Sequence, residues 1–423
     1  MNSQSNSGKS PNPQAPLRPI PRTGLRGSAG IILHVLLFFA AASVGIGICA
    51  MRTTSQLERN IAEGFAVASL LLLFLHLWRS ARRAKGVLPI LILTAGFLFY
   101  LTDYSFIPPA VLIGLIFAVG EGSVLLAVQP RRRLMWFLLV PIAAYGATVL
   151  ISFDPLGAVA ALIPFPAMLV LALATRHSAG REDGLTRVGV ICATSLTLGL
   201  SLGAMLALTL FRRLGSLSVE ALSGAMESFR AAAIEAITQM EVPGELKELV
   251  SLENATNMVN SFINLLPGYA VMMVNLIAAV CQFIQHAGLV AFGFGESITD
   301  RVRVFRMSTV SCLVFLLAYV VLLISGTEKS TLAGTVSQNI YTVLMPGMAF
   351  AGLLRLAAGI SRRGMRGMGC MFFLVLFIPL LFIMAPLVLA VVELGGRFST
   401  WLAGKFKPPE DDDPFGKPPF DNR

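Results

Sequence analysis

The sequence predicts an all-α fold, a polytopic transmembrane helix bundle of about eleven spans with a helical extracytoplasmic insertion. Three observations carry that prediction. The 423 residues are 55% hydrophobic and only 13% charged, about half the charged share of water-soluble domains. Apolar residues fall in successive runs, most of them close to the length that crosses a bilayer. Basic residues collect in alternate connections between those runs, the pattern of the positive-inside rule. The net charge of +10 therefore reads as orientation in a lipid bilayer, and no nucleic-acid partner is expected.

Residues 1–29 are rich in Ser, Pro, Asn and Gln and carry Lys9, Arg18, Arg22 and Arg26. They read as a disordered basic tail on the cytoplasmic side. Gly8-Lys9-Ser10 is not a phosphate-binding loop, because Ser3 stands at the required upstream glycine and no strand precedes it. Apolar runs follow near 30–50, 61–78, 87–101, 107–128, 134–152, 156–174, 188–211, 262–292, 304–324, 332–359 and 369–394, a membrane domain over 30–395. The run at 87–101 is short, so counts of ten or twelve stay open. With the N-terminus in the cytoplasm of a bacterial cell, the inner connections hold twenty-one Lys and Arg, among them Arg131, Arg132 and Arg133. The short outer loops hold Arg52, Arg59 and Lys329, while Arg212 and Arg213 at an outer end run against the pattern. Pro379 and Pro386 leave the last run as either a span or a re-entrant hairpin, and the side of the C-terminus open. Residues 403–423, with Glu410 and Asp411 to Asp413, read as a disordered acidic, Pro-rich tail.

Residues 214–259 are the long polar insertion. Leu222, Met226, Phe229, Ala233, Ile237 and Met240 recur at three or four residues, which predicts an amphipathic helix. Ser216 or Ser218 caps its start and Pro243-Gly244 ends it. A second short helix, from Glu245 to Met258, is expected to run into the next span. The apolar face would cover the membrane surface or the mouth of the bundle, as a lid does.

The span after the insertion is polar on one side. Asn260, Asn264, Gly268, Asn275, Gln282 and His286 fall on one stripe of a helix. Buried amides without partners cost about 2 kcal/mol or more, so the stripe should face other helices or water. It is a candidate solute site, or interhelical glue. Thr335, Gln338, Asn339 and Thr342 make a similar face ahead of Pro346-Gly347, a candidate partner for the stripe. Glu121, between Gly120 and Gly122, is a carboxylate inside a span and a functional candidate by its cost. His76 and His286 sit near cytoplasmic ends of their spans. Ala41, Gly45 and Cys49, and likewise Ser195, Gly199 and Gly203, are four apart and predict close helix contacts. Five cysteines, Cys49, Cys192, Cys281, Cys312 and Cys370, lie in apolar runs without CxxC or Cys/His spacing, so they read as core residues and neither disulfides nor a metal centre is expected. No cofactor is called for. No GxSxG, HExxH, paired intramembrane aspartates or nucleotide-binding motif occurs, so the protein is not expected to be an enzyme.

Four stretches together, PLGAVAALIPFPAMLVLALATRHSAGREDGLTRVG at 155–189, FINLLPGYAVMMVNLIAAV at 262–280, FRMSTVSCLVFLLAYVV at 305–321 and NIYTVLMPGMAFAGLLRL at 339–356, resemble the YybS-like family of uncharacterised bacterial membrane proteins. That family is similar in architecture to the substrate-binding components of energy-coupling-factor transporters. The resemblance implies a component of the bacterial cytoplasmic membrane that binds a small-molecule solute from outside and relies on separate membrane and ATPase subunits. The extra N-terminal spans and the acidic insertion depart from it. The alternative function is a non-transport scaffold for envelope or differentiation machinery.

Overall fold

A computed structural model of the chain describes residues 28–53, 55–79, 109–128, 134–178, 184–240, 251–291, 307–325, 331–361 and 378–405. The short run at 87–101, Pro243-Gly244, most of the basic tail and the acidic end lie outside these residues. The described chain is helical, without a strand. It divides into two compact units, Met1–Phe305 and Arg306–Arg423. Six stretches of unit 1 are long and apolar enough to cross a membrane, and Phe137–Ser152 and Thr309–Ser325 are shorter apolar helices. The protein is a multi-pass integral membrane protein.

Unit 1 is built around α3 (Pro109–Val128). From Ala110 to Val128 every residue is buried. Its sequence has no polar face, and glycines let neighbours close on several sides. A Cβ on Gly114 would stand 2.6 Å from the carbonyl oxygen of Ala40 in α1 (Ser28–Thr53). One on Gly120 would stand 3.0 Å from Cβ of Ile284 in α8 (Leu252–Ala291). One on Gly122 would strike Met168 of α5 (Pro164–Ser178). The hydroxyl of Ser43 donates to the Ala40 carbonyl at 2.8 Å, which keeps a polar group satisfied inside this contact.

Around α3 the directions of the helices are fixed by specific contacts. Phe39 of α1 meets Phe65 of α2 (Gln56–Arg79), while Gly47, later in α1, faces Ala62, earlier in α2. The two are antiparallel. Gly47 faces Val111 of α3 and Leu37 lies at Gly122, so α1 and α3 are also antiparallel. α4 (Leu134–Ser152) runs with α1, bringing Thr148 onto Gly45. The close face predicted at Ala41, Gly45 and Cys49 is present: a Cβ at Gly45 would be 2.8 Å from Ala161, and one at Gly157 2.5 Å from Sγ of Cys49. The other predicted face is not tight. Gly199 of α6 (Gly184–Leu214) has only Val274 at 3.9 Å, and Gly203 has nothing within 4 Å. Cys192, read as a core residue, is exposed, whereas Cys49, Cys281 and Cys312 are buried.

The run read as one span at 156–174 is broken near its start. Asp154 caps a single turn at Pro155–Ala158, a 3-10 turn follows at Val159–Leu162, and α5 restarts at Pro164. Proline suits the first position of a helix, where its missing N–H is not needed. Asp154 also bridges Arg52, at the end of α1, at 3.2 Å and Arg212, at the end of α6, at 3.1 Å.

The insertion forms α7 (Val219–Thr238), capped by the Ser218 hydroxyl, which accepts from the Ala221 amide at 3.2 Å. The helix expected to lead up to Met258 runs into the next span, its residues before 251 lying outside those described. From Leu252 onward there is one helix, α8, of 40 residues, about 60 Å at about 1.5 Å per residue, twice the hydrocarbon thickness of a bilayer. α7 packs along α8.

Unit 2 packs three helices on one another: α9 (Thr309–Ser325), α10 (Leu332–Ser361) and α11 (Ile378–Lys405). Tyr341 of α10 stacks on Phe315 of α9 with ring centroids 5.0 Å apart. Pro346 and Pro386 are carried inside unbroken helices. The last run is thus one helix over its described part rather than a hairpin, and it continues to Lys405, two residues beyond the predicted start of the tail.

Candidate functional site

The polar stripe lies on α8, but not on the side that packs into the core. The buried face of α8 is made by Ile277, Cys281, Ile284 and Gly288. At about 100° per residue the stripe sits about 150° away from it, close to the opposite side of the helix. Its members therefore have three different surroundings. Asn264 is exposed, and Asn260 is half-buried with its side-chain oxygen shut off from solvent. Asn275 is half-buried and ties α8 to α6: its Oδ1 accepts from the Ser195 hydroxyl at 2.5 Å. Gln282 and His286 are half-buried further along the same flank.

Gln285, outside the stripe, is the polar residue of α8 that the core takes in. It is buried, and its Oε1 accepts from the Thr175 hydroxyl of α5 at 2.8 Å. Its Nε2 is also buried and donates no hydrogen bond among the described residues. Beside Thr175, the Arg176 guanidinium donates to the carbonyls of Leu126 and Ala127 at the end of α3. Those are the carbonyls that a helix end leaves without intrahelical partners.

Glu121 stands apart from the stripe, on the opposite side of the α3–α8 contact. It is 1% exposed. A Cβ placed on Gly288 would lie 2.8 and 3.0 Å from its two carboxyl oxygens, so the carboxyl group lies against the glycine backbone of α8. Neither oxygen accepts a hydrogen bond among the described residues. About 10 Å of helix separates it from the end of α3 at Val128, so Arg176 caps that end without forming an ion pair with it.

Gln338 and Asn339 belong to α10, in unit 2. Asn339 donates from Nδ2 to the Thr335 carbonyl at 2.9 Å, and the Thr342 hydroxyl donates to the Gln338 carbonyl at 2.8 Å. Both bonds stay within the helix. The helix runs on through Pro346, without the interruption expected of a paired broken-helix site. Between α9 and α11 an open, shallow groove is lined by Leu316, Val391, Leu394 and Phe398. No group of three or more His, Cys, Asp or Glu side chains is arranged to hold a metal among the described residues.

Three residues of this arrangement escape a reading of the sequence: Ser195, Gln285 and Gly288. Ser195 shows only as one of a row of small residues, 80 positions from its partner. Gln285 lies next to His286 but off the stripe, and only the identity of the packing face makes it the buried one. No family model matches the chain, and neither a curated protein nor a solved structure matches it.

Proposed function

We propose that the protein is a small-solute-binding transport component of a bacterial cytoplasmic membrane, without an ATPase or catalytic role of its own. It has its N-terminus inside and works with separate membrane and ATPase subunits, as the YybS-like resemblance implies. The observation that carries this reading is the flank of α8. Asn275, Gln282 and His286 are held half-buried within the length of a span, on a side that α3 does not fill. Polar groups at that depth are costly unless they serve a ligand or one another. Asn275 is tied across to α6 through Ser195. A specific feature favours the scaffold reading instead: α7 leaves Leu222, Met226 and Phe229 at 38%, 40% and 49% exposure.

Native mass spectrometry of the purified protein separates the two. A transport component retains a defined small molecule. Asn275→Leu and Gln282→Leu are then expected to lose it with little change in melting temperature, since an interhelical bond in a bilayer contributes about 1 kcal/mol or less. Ala270→Leu, on another face of α8, keeps it. Retention that falls only in proportion to thermal stability in all three variants removes the site from this flank.

A further inference from the structure

Glu121 is the one buried carboxylate among the described residues of unit 1, and packing does not account for it. We propose that Glu121 is a proton-exchange site, closed in this packing by Gly288 of α8 and opened when α8 separates from α3. The proposal rests on the transport reading only in making the proton a coupling ion; the site itself stands on the contact between the two helices.

Three observations point the same way. The carboxyl group is buried with both oxygens out of reach of any described donor. An ionised carboxylate so placed costs far more than a neutral acid, so in this packing the group holds a proton. Gly288 is what makes the burial feasible, because any Cβ there would press on both oxygens. A small opening of the α3–α8 contact would give the released carboxylate water. A metal cation is a poorer occupant. Sodium or calcium needs a shell of several oxygens, and no group of three or more His, Cys, Asp or Glu side chains is arranged to hold one among the described residues.

The charged and titratable groups on the helices around α3 do not neutralise Glu121. On α1, His34 bonds the Gly30 carbonyl through Nδ1 at 2.7 Å, and Cys49 and Arg52 lie at the opposite end. On α2, His76 is buried near the end of the helix, and Glu58, Arg59 and Glu63 lie in its first turns. On α5, Arg176 is engaged with the carbonyls of α3. On α8, Cys281 lies on the buried face and His286 on the flank, with Glu253 in the first turn of the helix.

Infrared spectroscopy of the protein in nanodiscs reads this directly. At neutral pH the wild type should show a protonated-carboxyl C=O band that Glu121→Gln lacks. Transfer into D₂O should shift that band within minutes, which reports opening of the contact. Rising pH should abolish it reversibly, and excess sodium or potassium should not. If Glu121→Gln does not fold, Glu121→Asp serves, since its band moves in frequency. A missing band, a band displaced by sodium, or one that stays unexchanged in D₂O for hours would each overturn the proposal. None of these readouts needs a solute. A solute lost in the Asn275 variants with an intact Glu121 band separates the two sites, and a Glu121 band without any retained solute defeats only the solute reading.

Discussion

Phe153 is the only non-glycine residue with positive φ among the described residues, at 51°. It ends α4 in the left-handed conformation that helix ends favour, and its amide closes on the Val149 carbonyl at 2.8 Å. Glycine normally takes that position, because a Cβ costs about 1–2 kcal/mol there. The strain has a consequence one residue on. It turns the chain so that Asp154 can cap the next turn, accepting from the Leu156 amide at 3.1 Å, and reach Arg52 and Arg212. Burial alone would push the Asp154 carboxyl up. The Gly157 amide and the two guanidiniums outweigh it and hold the group below the usual carboxylate range. Phe153 is 84% exposed, so its ring contributes little packing to the protein itself. Phe153→Gly is therefore expected to stabilise unit 1 by about 0.5–1 kcal/mol, after about 0.5–1 kcal/mol for the extra freedom of glycine in the unfolded chain. Thermal melting in detergent checks this; a lower melting temperature would show that Phe153 anchors to something outside the chain.

At the scale of the helix, hydropathy found the elements but not their ranks. Every described span coincides with a predicted apolar run, since about 20 apolar residues are needed wherever a helix crosses. The centre is not conspicuous in the sequence. Polar residues make α8 conspicuous, yet in a membrane the innermost helix needs small residues for contact, and Gly114, Gly120 and Gly122 give that place to α3. Lipid and protein interior are equally apolar, so hydropathy does not distinguish a helix facing one from a helix facing the other. The same limit divided the candidate site. The stripe was legible as a period, and Glu121 as a cost, but which flank of α8 meets α3 depends on partners far along the chain. The insertion was legible because its amphipathic period and its Ser218 cap are local. Its lid role gains no support from burial, since no residue of α7 is buried. Leu222→Glu with Met226→Glu should thus change stability by no more than about 0.5 kcal/mol, as exposed substitutions do. Ile234 and Ile237, half-buried towards the end of α7, should cost more when charged. A large loss from the first pair, read by thermal melting, would mean that their exposed face is covered in the working protein.

At the scale of the whole molecule, the ends of the helices report topology independently of charge. Asp154 joins the ends of α1 and α6 to the end of α4. At the other end of the unit, Arg176 of α5 meets the end of α3, and Thr175 meets Gln285 near the end of α8. Helices α1, α4 and α6 thus finish on one side, and α3, α5 and α8 on the other. The positive-inside pattern groups them in the same way, and Arg212, its main exception, is held at the α1 end by Asp154. One consequence concerns the short run at 87–101. α2 and α3 are each antiparallel to α1, so they run in the same direction, as the sequence reading of 87–101 as one span requires. With native Cys192 replaced by Ser, cysteines placed at Ser80 and Ser105 should react with a membrane-impermeant maleimide from opposite sides, Ser80 from within and Ser105 from without. A cysteine at Phe153 should react from without. Labelling of Ser80 and Ser105 from the same side would mean that 87–101 does not cross, and that the shared direction of α2 and α3 fails in the membrane.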